Sequence, residues 1–338
     1  MTALAGLWYR RGGWGWLLAP LGLLFAAVAG RRRRVLQCRY QGRPFAAPVV
    51  VVGNLSVGGT GKTPLLMALA QRLSARGRRP GIVSRGYGGK PGPTPVLVTP
   101  AHLPAVVGDE PRLIAQTTGC PVVVCADRRA AVDWLLANCD CDLVLSDDGL
   151  QHYRLHRDFE IAVLDGERGL GNGRCLPAGP LREPPGRLAE VDAVVVNGGD
   201  YRAPVAALRM ALRPVAFRHL ASGRHYPAGL LPPEWGKDGR VHAVAGIGNP
   251  ERLRATLETL GVNADLRALP DHHALSAADL RFPDALPVVI TAKDAVKCER
   301  LADPRLWVLE VVAELTAEDW EKLLGQIDGL IGKTHSTR

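Results

Sequence analysis

The stretch Val49-Val-Val-Val-Gly-Asn-Leu-Ser-Val-Gly-Gly-Thr-Gly-Lys-Thr63 decides the fold of this chain. Its four valines predict a buried parallel strand, because β-branched residues without polar alternation suit a strand that is covered on both faces. A glycine-rich turn follows, and then Pro64, which suits the first turn of a helix because an N–H there has no helical partner. Strand, glycine loop and helix together predict a phosphate cradle.

In such a cradle, backbone N–H groups and the N-terminus of the helix face the phosphates of a nucleotide. We expect Lys62 to neutralise phosphate charge and Thr63 to reach Mg²⁺. The predicted nucleotide-binding residues are Ser56, Val57, Gly58, Gly59, Thr60, Gly61, Lys62 and Thr63. The general pattern G-x-x-x-x-G-K-[ST] has a glycine where this chain has Ser56, so the sequence predicts a variant nucleotide loop. The alternative is an ordinary strand-to-helix turn with chance glycines.

Composition places the chain among globular proteins, since 47% of its 338 residues are hydrophobic and 22% are charged. This length predicts two domains. Residues 1–46 contain eight arginines and no acid, so only about +1 of the net charge of +9 belongs to the remainder. That distribution argues against a nucleic-acid-binding body and for an anionic partner of the N-terminal segment. Seven cysteines without a C-x-x-C pair suit a reducing compartment.

The N-terminal segment contains an apolar stretch of sixteen residues, Trp14–Ala29, followed at once by Arg31–Arg34. A spanning helix needs about 20 residues. A signal peptide is one alternative, but export would separate the nucleotide loop from ATP, and the arginines would retard translocation. A buried core helix is the other. We favour an uncleaved helix that lies in, or is partly inserted into, the cytoplasmic face of a membrane, with its arginines near anionic lipid.

Strands and helices alternate along the remainder of the chain, which predicts a P-loop NTPase-like, doubly wound parallel sheet with ligands at the strands' carboxyl ends. Beyond Val49–Val52, the predicted strands of this core are Pro80–Ser84, Pro121–Cys125, Asp142–Leu145, Glu160–Leu164 and Ala193–Asn197. Its predicted helices are Leu65–Leu73, Arg112–Thr117 and Arg128–Ala137. A second, smaller α/β lobe is predicted from Val241–Ala245, Glu251–Leu260, Leu286–Thr291, Leu306–Val312 and Ala317–Ile331. We therefore divide the chain into a membrane stem (1–46), a nucleotide-binding core (47–215) and a C-terminal lobe (216–338).

Acidic residues at strand and helix ends are the next candidates. Asp147 and Asp148 end an apolar strand, where a P-loop fold places the acid that helps to hold Mg²⁺. Asp109 precedes a predicted helix, so it is either a helix N-cap or a functional carboxylate. The stretch Asp271–His273 is compatible with a metal cluster, a satisfied histidine pair or an acid–base element. Adjacent histidines point in different directions, which disfavours joint chelation.

Two further segments stand out by their composition or by a motif-like order of residues. The glycine- and proline-rich segment Gly169–Arg187 is long for a loop inside a domain, and we expect it to lie on the substrate side. The stretch Thr291–Asp294 superficially resembles a guanine-reading motif, but its order does not match [N/T]-K-x-D, and we discount it.

Together these stretches resemble the tetraacyldisaccharide 4'-kinase family of lipid A biosynthesis. The similar stretches run in the same order through nearly the whole chain: Gly53–Pro64, Ser84–Gly89, Gly108–Pro111, Ser146–His152, Gly171–Pro184, Pro270–His273 and Thr291–Lys297. The run Leu176–Pro184 is highly specific, and Ser56 looks like the family's own form of the loop.

The resemblance implies transfer of the ATP γ-phosphate, with Mg²⁺, to the 4'-hydroxyl of a tetraacyl glucosamine disaccharide 1-phosphate, forming lipid IVA. It also implies two α/β/α lobes with the active site between them, at the cytoplasmic face of the bacterial inner membrane. No nucleic acid and no obligate protein partner are expected. The implied roles are phosphate and Mg²⁺ binding for Lys62 and Thr63, metal binding for Asp147 and Asp148, and catalytic base for Asp109, oriented by a histidine, preferably His272. Arg85, Asn172 and Arg182 are our further candidates, for substrate binding.

The best rival from another class is a membrane-associated P-loop ATPase of the positioning or partitioning type. Those ATPases carry a signature lysine before the two glycines, where this chain has Val57. The long loop Gly169–Arg187 also has no use in a switch ATPase. A nonenzymatic nucleotide-binding membrane adaptor is a third interpretation, and Asp109 together with Asp147 argues against it.

Overall fold

A single 13-stranded sheet runs through the protein in the computed structural model, which describes residues 8–9, 14–236, 238–299, 301 and 303–336. Its strands are β1 (Val49–Gly53), β2 (Pro80–Ser84), β3 (Val96–Leu97), β4 (Val122–Val124), β5 (Leu143–Asp147), β6 (Phe159–Asp165), β7 (Ala193–Asn197), β8 (Leu208–His219), β9 (His225–Pro227), β10 (Arg240–Ala245), β11 (Asn263–Ala268), β12 (Val288–Thr291) and β13 (Leu306–Glu314). Their order is β11-β10-β12-β13-β8-β7-β6-β1-β5-β2-β4-β3, and β9 pairs with β8. Most neighbouring pairs are parallel, so the predicted α/β fold is confirmed.

Helices cover this sheet and connect its parallel strands. They are α1 (Ala19–Tyr40), α2 (Lys62–Ala75), α3 (Pro104–Val107), α4 (Asp109–Thr118), α5 (Arg128–Asn138), α6 (Pro250–Thr259), α7 (Ala292–Cys298) and α8 (Ala317–Ser336), with short 3-10 turns at Trp14–Leu18, Pro185–Ala189 and Pro233–Trp235. We use "first body" for β1 to β7 with α2 to α5, and "second body" for β10 to β13 with α6 and α7.

Strand β1 lies inside the first body with both of its faces covered. Its valines are fully buried, and Val50 and Val52 share a hydrophobic cluster with Leu66 of α2. Val49 and Val51 face a second cluster, which contains Leu135 of α5. Burial on both faces explains the unbroken valine run, and each such side chain contributes about 1.5–3 kcal/mol to folding.

The C-terminal helix α8 returns to the first body. Trp320, Leu323 and Ile327 are buried in the same cluster as Leu66 of α2. The last described helix therefore completes the core on which the nucleotide loop stands.

Strand β8 joins the two bodies, and the sequence did not predict it. Its beginning pairs with β7 in parallel, and its end pairs with β13 in antiparallel orientation. The register shifts where Glu310 faces Ala216 and Val311 faces Pro214, which leaves Val215 as a bulge. A proline inside a strand argues against a central strand, and a bulge is one of the places that tolerate it. The predicted boundary between the nucleotide-binding core and the C-terminal lobe, at residues 215 and 216, falls at this bulge and stays a prediction.

Helix α1 continues through the arginine run instead of ending near Ala29. Gly22 of this helix lies so close to the segment around Cys175 that an added Cβ would be 2.9 Å from the Cys175 carbonyl oxygen. Arg33 forms an ion pair with Glu190 at 2.8 Å. Among the helices of the described residues, none combines the length and the apolar character needed to cross a membrane.

Candidate active site

A cleft of about 910 Å³ lies at the carboxyl ends of the central strands and extends to the second body. This volume is in the range of small-molecule sites. Its walls contain most of the predicted site residues, namely Val57, Gly58, Gly59, Thr60, Gly61, Lys62, Thr63, Arg85, Asp147, Asp148, Arg182 and His272. Three predicted residues, Ser56, Asp109 and Asn172, do not line it.

The nucleotide loop, residues 53–63, has a backbone that requires glycine at two positions. Gly58 and Gly61 have φ values of 105° and 92°, a region that side chains disfavour. A Cβ on Gly61 would also collide with the amide of Asn197, which donates a hydrogen bond to the Thr60 carbonyl oxygen at 3.0 Å. Ser56 is buried and forms a β-bridge with Leu181, so its backbone fixes the nucleotide loop to the segment that contains Leu181.

A second loop, residues 175–182, braces the nucleotide loop through its backbone. The Val57 N–H donates to the Pro180 carbonyl oxygen at 2.9 Å, and the Arg182 N–H donates to the Leu55 carbonyl oxygen at 2.6 Å. Asn172 shapes the start of this segment, because its amide donates to the Ala178 carbonyl oxygen at 2.8 Å. We call residues 175–182 the bracing loop. A substrate contact by Asn172 stays a prediction.

Asp147 and Asp148 follow each other but lie in different environments. Asp147 is buried; its Oδ2 accepts a hydrogen bond from Ser84 Oγ at 3.4 Å, and its Oδ1 has no partner among the described residues. Burial and the charges of Glu110 and Asp148 raise the pKa of Asp147. Burial would raise the pKa of Asp148 too, but Lys62 and Arg182, at 3.6 and 3.3 Å, outweigh it and lower that pKa.

These acids fit a magnesium ion that is shared with a nucleotide. An unpaired buried carboxylate oxygen calls for a ligand, and Mg²⁺ commonly binds one or two carboxylates together with substrate phosphates. Within the described ranges, no group of three or more His, Cys, Asp or Glu side chains forms an all-protein metal cage.

Asp109 and His272 meet at the edge of the cleft. Asp109 is the first residue of α4, and Gly108 occupies the N-cap position, so the helix-cap alternative is wrong. His272 Nδ1 lies 3.2 Å from both carboxylate oxygens of Asp109. The neighbouring His273 contacts Asp279 instead, with Nε2 at 3.2 Å from Oδ2. We call Asp109 and His272 the dyad.

Two lysines of α7 complete the surroundings of the dyad. Lys293 Nζ lies 3.0 Å from Glu110 Oε1 and 3.9 Å from Asp109 Oδ2, and Lys297 Nζ lies 3.6 Å from Asp109 Oδ2. Burial would raise the pKa of Asp109, but the hydrogen bond with His272 and the two lysine charges outweigh burial and lower the pKa. Asp109 is therefore a carboxylate at neutral pH.

Lys293 belongs to the stretch Thr291–Asp294, whose likeness to a guanine-reading motif we discounted. In the structure, Thr291 caps α7 by accepting a hydrogen bond from the Asp294 N–H at 3.2 Å. The stretch thus builds a helix start and brings Lys293 to the cleft. Lys293 could have been found from the sequence, because it is a lysine in the first turn of a helix that follows a strand, at the sheet edge where ligands bind.

The end of the cleft nearest α1 is basic, which sequence reasoning also missed. Arg128 is 3% exposed and donates to Ser146 Oγ at 3.1 Å, while its Nε has no partner among the described residues. Burial and the charges of Arg128 and Arg157 lower the pKa of His152 to about 3. Arg32 of α1 lines the same end. This end of the cleft suits an anionic group.

Comparison with known proteins identifies the family of this chain. A family model described as "Tetraacyldisaccharide-1-P 4'-kinase" matches residues 14–328. The tetraacyldisaccharide 4'-kinase of Alkalilimnicola ehrlichii is 50% identical over 98% of this chain and 100% of its own length. That of Alcanivorax borkumensis is 48% identical over 96% of each chain.

A solved structure, LpxK from Aquifex aeolicus in complex with ATP, superposes with a TM-score of 0.75. It is 28% identical and covers 93% of this chain and 99% of its own. These relatives favour the kinase over the positioning or partitioning ATPase.

Proposed function

Given that this chain belongs to the tetraacyldisaccharide 4'-kinase family, we propose how its residues carry the reaction. The enzyme phosphorylates the 4'-hydroxyl of a tetraacyl disaccharide 1-phosphate with ATP. The observation that carries the proposal is the 3.2 Å contact between Asp109 and His272 beside a cleft that also contains the nucleotide loop. A phosphate cradle in the cleft and an acid–base pair at its edge are the two parts that phosphoryl transfer to an alcohol needs.

The nucleotide loop holds the phosphates of ATP. Its N–H groups and the start of α2 supply partial positive charge, and Lys62 supplies a full one. Thr63, Asp147 and Asp148 would hold Mg²⁺, which, when bound, neutralises charge on the phosphates. The unpaired Oδ1 of Asp147 supports this assignment. Transfer then depends mainly on positioning and on electrostatic stabilisation.

Asp109 acts as the general base. The 4'-oxygen attacks the γ-phosphorus, its proton passes to Asp109, and the bond to the bridging oxygen of ADP breaks. Asp109 is only 4% exposed, so the acceptor needs a path to it. Gly88 provides that path, because a Cβ there would lie 3.6 Å from Asp109 Oδ1 and 3.2 Å from His272 Nδ1.

The phosphate at the other end of the acceptor suits the basic end of the cleft. Arg128, His152 and Arg32 line that end, and Arg182 lies between it and the nucleotide loop, next to Asp148. Arg128 Nε and His152 Nε2 are buried without a partner in the described residues, so a phosphate oxygen would satisfy them. Arg85, which lines the cleft and is exposed, remains a candidate for the acceptor.

Helix α1 places the enzyme at the cytoplasmic face of the inner membrane. Leu21, Leu24 and Val28 are 52%, 62% and 59% exposed, and their spacing puts them on one face of the helix. Arg31 and Arg32 follow within the same helix and would attract anionic lipid. Replacing these three apolar residues by serine should weaken binding to anionic vesicles, measured by co-sedimentation. Equal sedimentation of the variant would assign membrane binding to another surface.

The direct test uses γ-labelled ATP and the tetraacyl disaccharide 1-phosphate in mixed micelles. We expect label in the lipid with the wild type and almost none with Asp109→Asn, while both proteins bind ATP equally. Asp279→Asn is the matched control, because Asp279 pairs with the other histidine. Wild-type transfer by Asp109→Asn would refute the assignment of the base.

A further inference from the structure

Lys293 contacts three groups with one ammonium. Its Nζ lies 3.0 Å from Glu110 Oε1, 3.3 Å from Asp271 Oδ1 and 3.3 Å from His272 Nε2. A lysine ammonium has three N–H donors and no acceptor. The three contacts therefore use all three donors, and His272 Nε2 must be an acceptor in this arrangement.

An accepting Nε2 determines the other side of the ring. A neutral imidazole has one donor and one acceptor, so the proton of His272 is on Nδ1. Nδ1 is the atom that lies 3.2 Å from both oxygens of Asp109. The His272 ring then donates to Asp109 without adding a positive charge beside it. The Nε2-protonated alternative would need Asp271 as acceptor, and that oxygen lies 3.8 Å away, beyond hydrogen-bond distance.

We propose that Lys293 is a positioning residue that keeps His272 neutral with its proton on Nδ1, so that no imidazolium forms beside Asp109 and lowers its basicity further. This rests on the proposed role of Asp109 as base. Lys293 lies on α7 and Asp109 on α4, so a residue of the second body sets the protonation of the histidine that contacts an acid of the first body.

The charges around His272 explain why a lysine is required there. Two carboxylates face the ring, Asp109 from α4 and Asp271 from its own loop, and both favour a doubly protonated imidazolium. The aromatic ring of Tyr87 packs edge-on at 4.8 Å between centroids and adds no charge. Lys293 is the cation in contact with the ring, and it opposes the second proton.

Lys293 itself stays charged. Burial would lower its pKa, but the carboxylates of Glu110, Asp109 and Asp271 outweigh burial and raise it. Without this cation, His272 would take a second proton between its two acids. The resulting imidazolium would weaken Asp109 as a base.

The test combines ¹⁵N NMR of histidine-labelled protein with pH profiles of kcat. In the wild type at pH 7 we expect the Nδ1-protonated pattern for His272, assigned by its loss in His272→Gln. Lys293→Met should convert it to the doubly protonated pattern. Its kcat should fall about tenfold per pH unit below the new protonation step and approach the wild-type value above that step.

Two further variants separate positioning from simple packing. Lys293→Arg, a permanent donor-only cation, should restore the wild-type pH profile even if kcat is lower. Lys297→Met is the matched control, since it removes a cation that lies 3.6 Å from Asp109 and pairs with Asp294, whereas Lys293 is the lysine that bonds to the His272 ring; the His272 tautomer should not change.

An Nε2-protonated or doubly protonated His272 in the wild type would overturn the proposal. A Lys293→Met profile parallel to that of the wild type would also overturn it. Failure of the base assignment is distinguishable, because it would appear as full activity in Asp109→Asn, whatever the tautomer.

Discussion

The nucleotide loop lines the cleft and the dyad lies at its edge, but the two are built in opposite ways. The nucleotide loop is one continuous segment on a fully buried strand, held by backbone hydrogen bonds from the bracing loop. The dyad joins residues 163 positions apart through side-chain contacts with a cluster of charges. Burial and backbone bonds change little with pH, whereas a charge cluster responds to each proton. The phosphate side is thus preformed, and the acceptor side depends on the meeting of two bodies.

The largest expected effect concerns the preformed side. Lys62→Ala should lower kcat on the order of a thousandfold or more, because a positioned charge at the transferred phosphate is worth several kcal/mol. The fold should survive, since within the described residues the ion pair that Lys62 forms is the 3.6 Å contact with the partly exposed Asp148. Turnover and thermal melting test this, with the exposed Lys90→Ala as control. Wild-type turnover in Lys62→Ala would show that the nucleotide loop does not act through Lys62, and the contrast between loop and dyad would fail.

The dyad should show strong coupling instead. Asp109→Ala should lower kcat by about 10²–10⁴-fold with little change in the KM for ATP, because a general base acts in the chemical step. His272→Ala should cost less, and the double variant less than the sum of the two, since both act as one unit. His273→Ala, the neighbour that contacts Asp279, serves as control. Additive losses in this cycle would mean that the two residues act independently.

The last expected effect is on stability and not on turnover, and it concerns His152 at the basic end of the cleft. Folding lowers the pKa of His152 to about 3, so the unfolded chain binds more protons below about pH 6.5. This contribution to stability is present above pH 6.5 and is lost as the pH falls toward 3, by at most about 1.4 kcal/mol per pH unit. Urea titrations from pH 4 to 7 give the free energy of unfolding at each pH. In His152→Gln its slope against pH should be smaller by the equivalent of up to one proton taken up on unfolding. An unchanged slope would place the acid sensitivity elsewhere, for instance at the dyad.

The same contrast explains what could be predicted from sequence. The nucleotide loop was predictable because strand, glycines, lysine and helix are adjacent, and local spacing encodes their geometry. The family resemblance implied a histidine of the Asp271–His273 stretch, and the neighbouring residues gave only a slight preference for His272 over His273. The structure shows which one reaches Asp109, because the backbone at His272 has a φ of 60° and turns the two rings apart.

Other parts depend on contacts between distant segments. Lys293 and Arg128 lie at helix starts whose position relative to the cleft follows from sheet order, which one sequence does not reveal. Strand β8 was missed because Pro214 breaks its pattern, and its bulge opposite Glu310 forms only when β13 is present. Tertiary pairing, not local propensity, decides these elements.

During synthesis, the first body stays incomplete long after its own residues have left the ribosome. Trp320 and Leu323 of α8 share a cluster with Leu66 of α2, the helix that begins at the nucleotide loop. At about 5–20 residues per second, translation from Leu66 to Trp320 takes roughly 13 to 50 s. Throughout that interval the apolar side of α2 lacks the cover that α8 later provides. A stop codon before residue 317 should therefore yield a protein that fails in the N-terminal half of the molecule, where no residue has been removed.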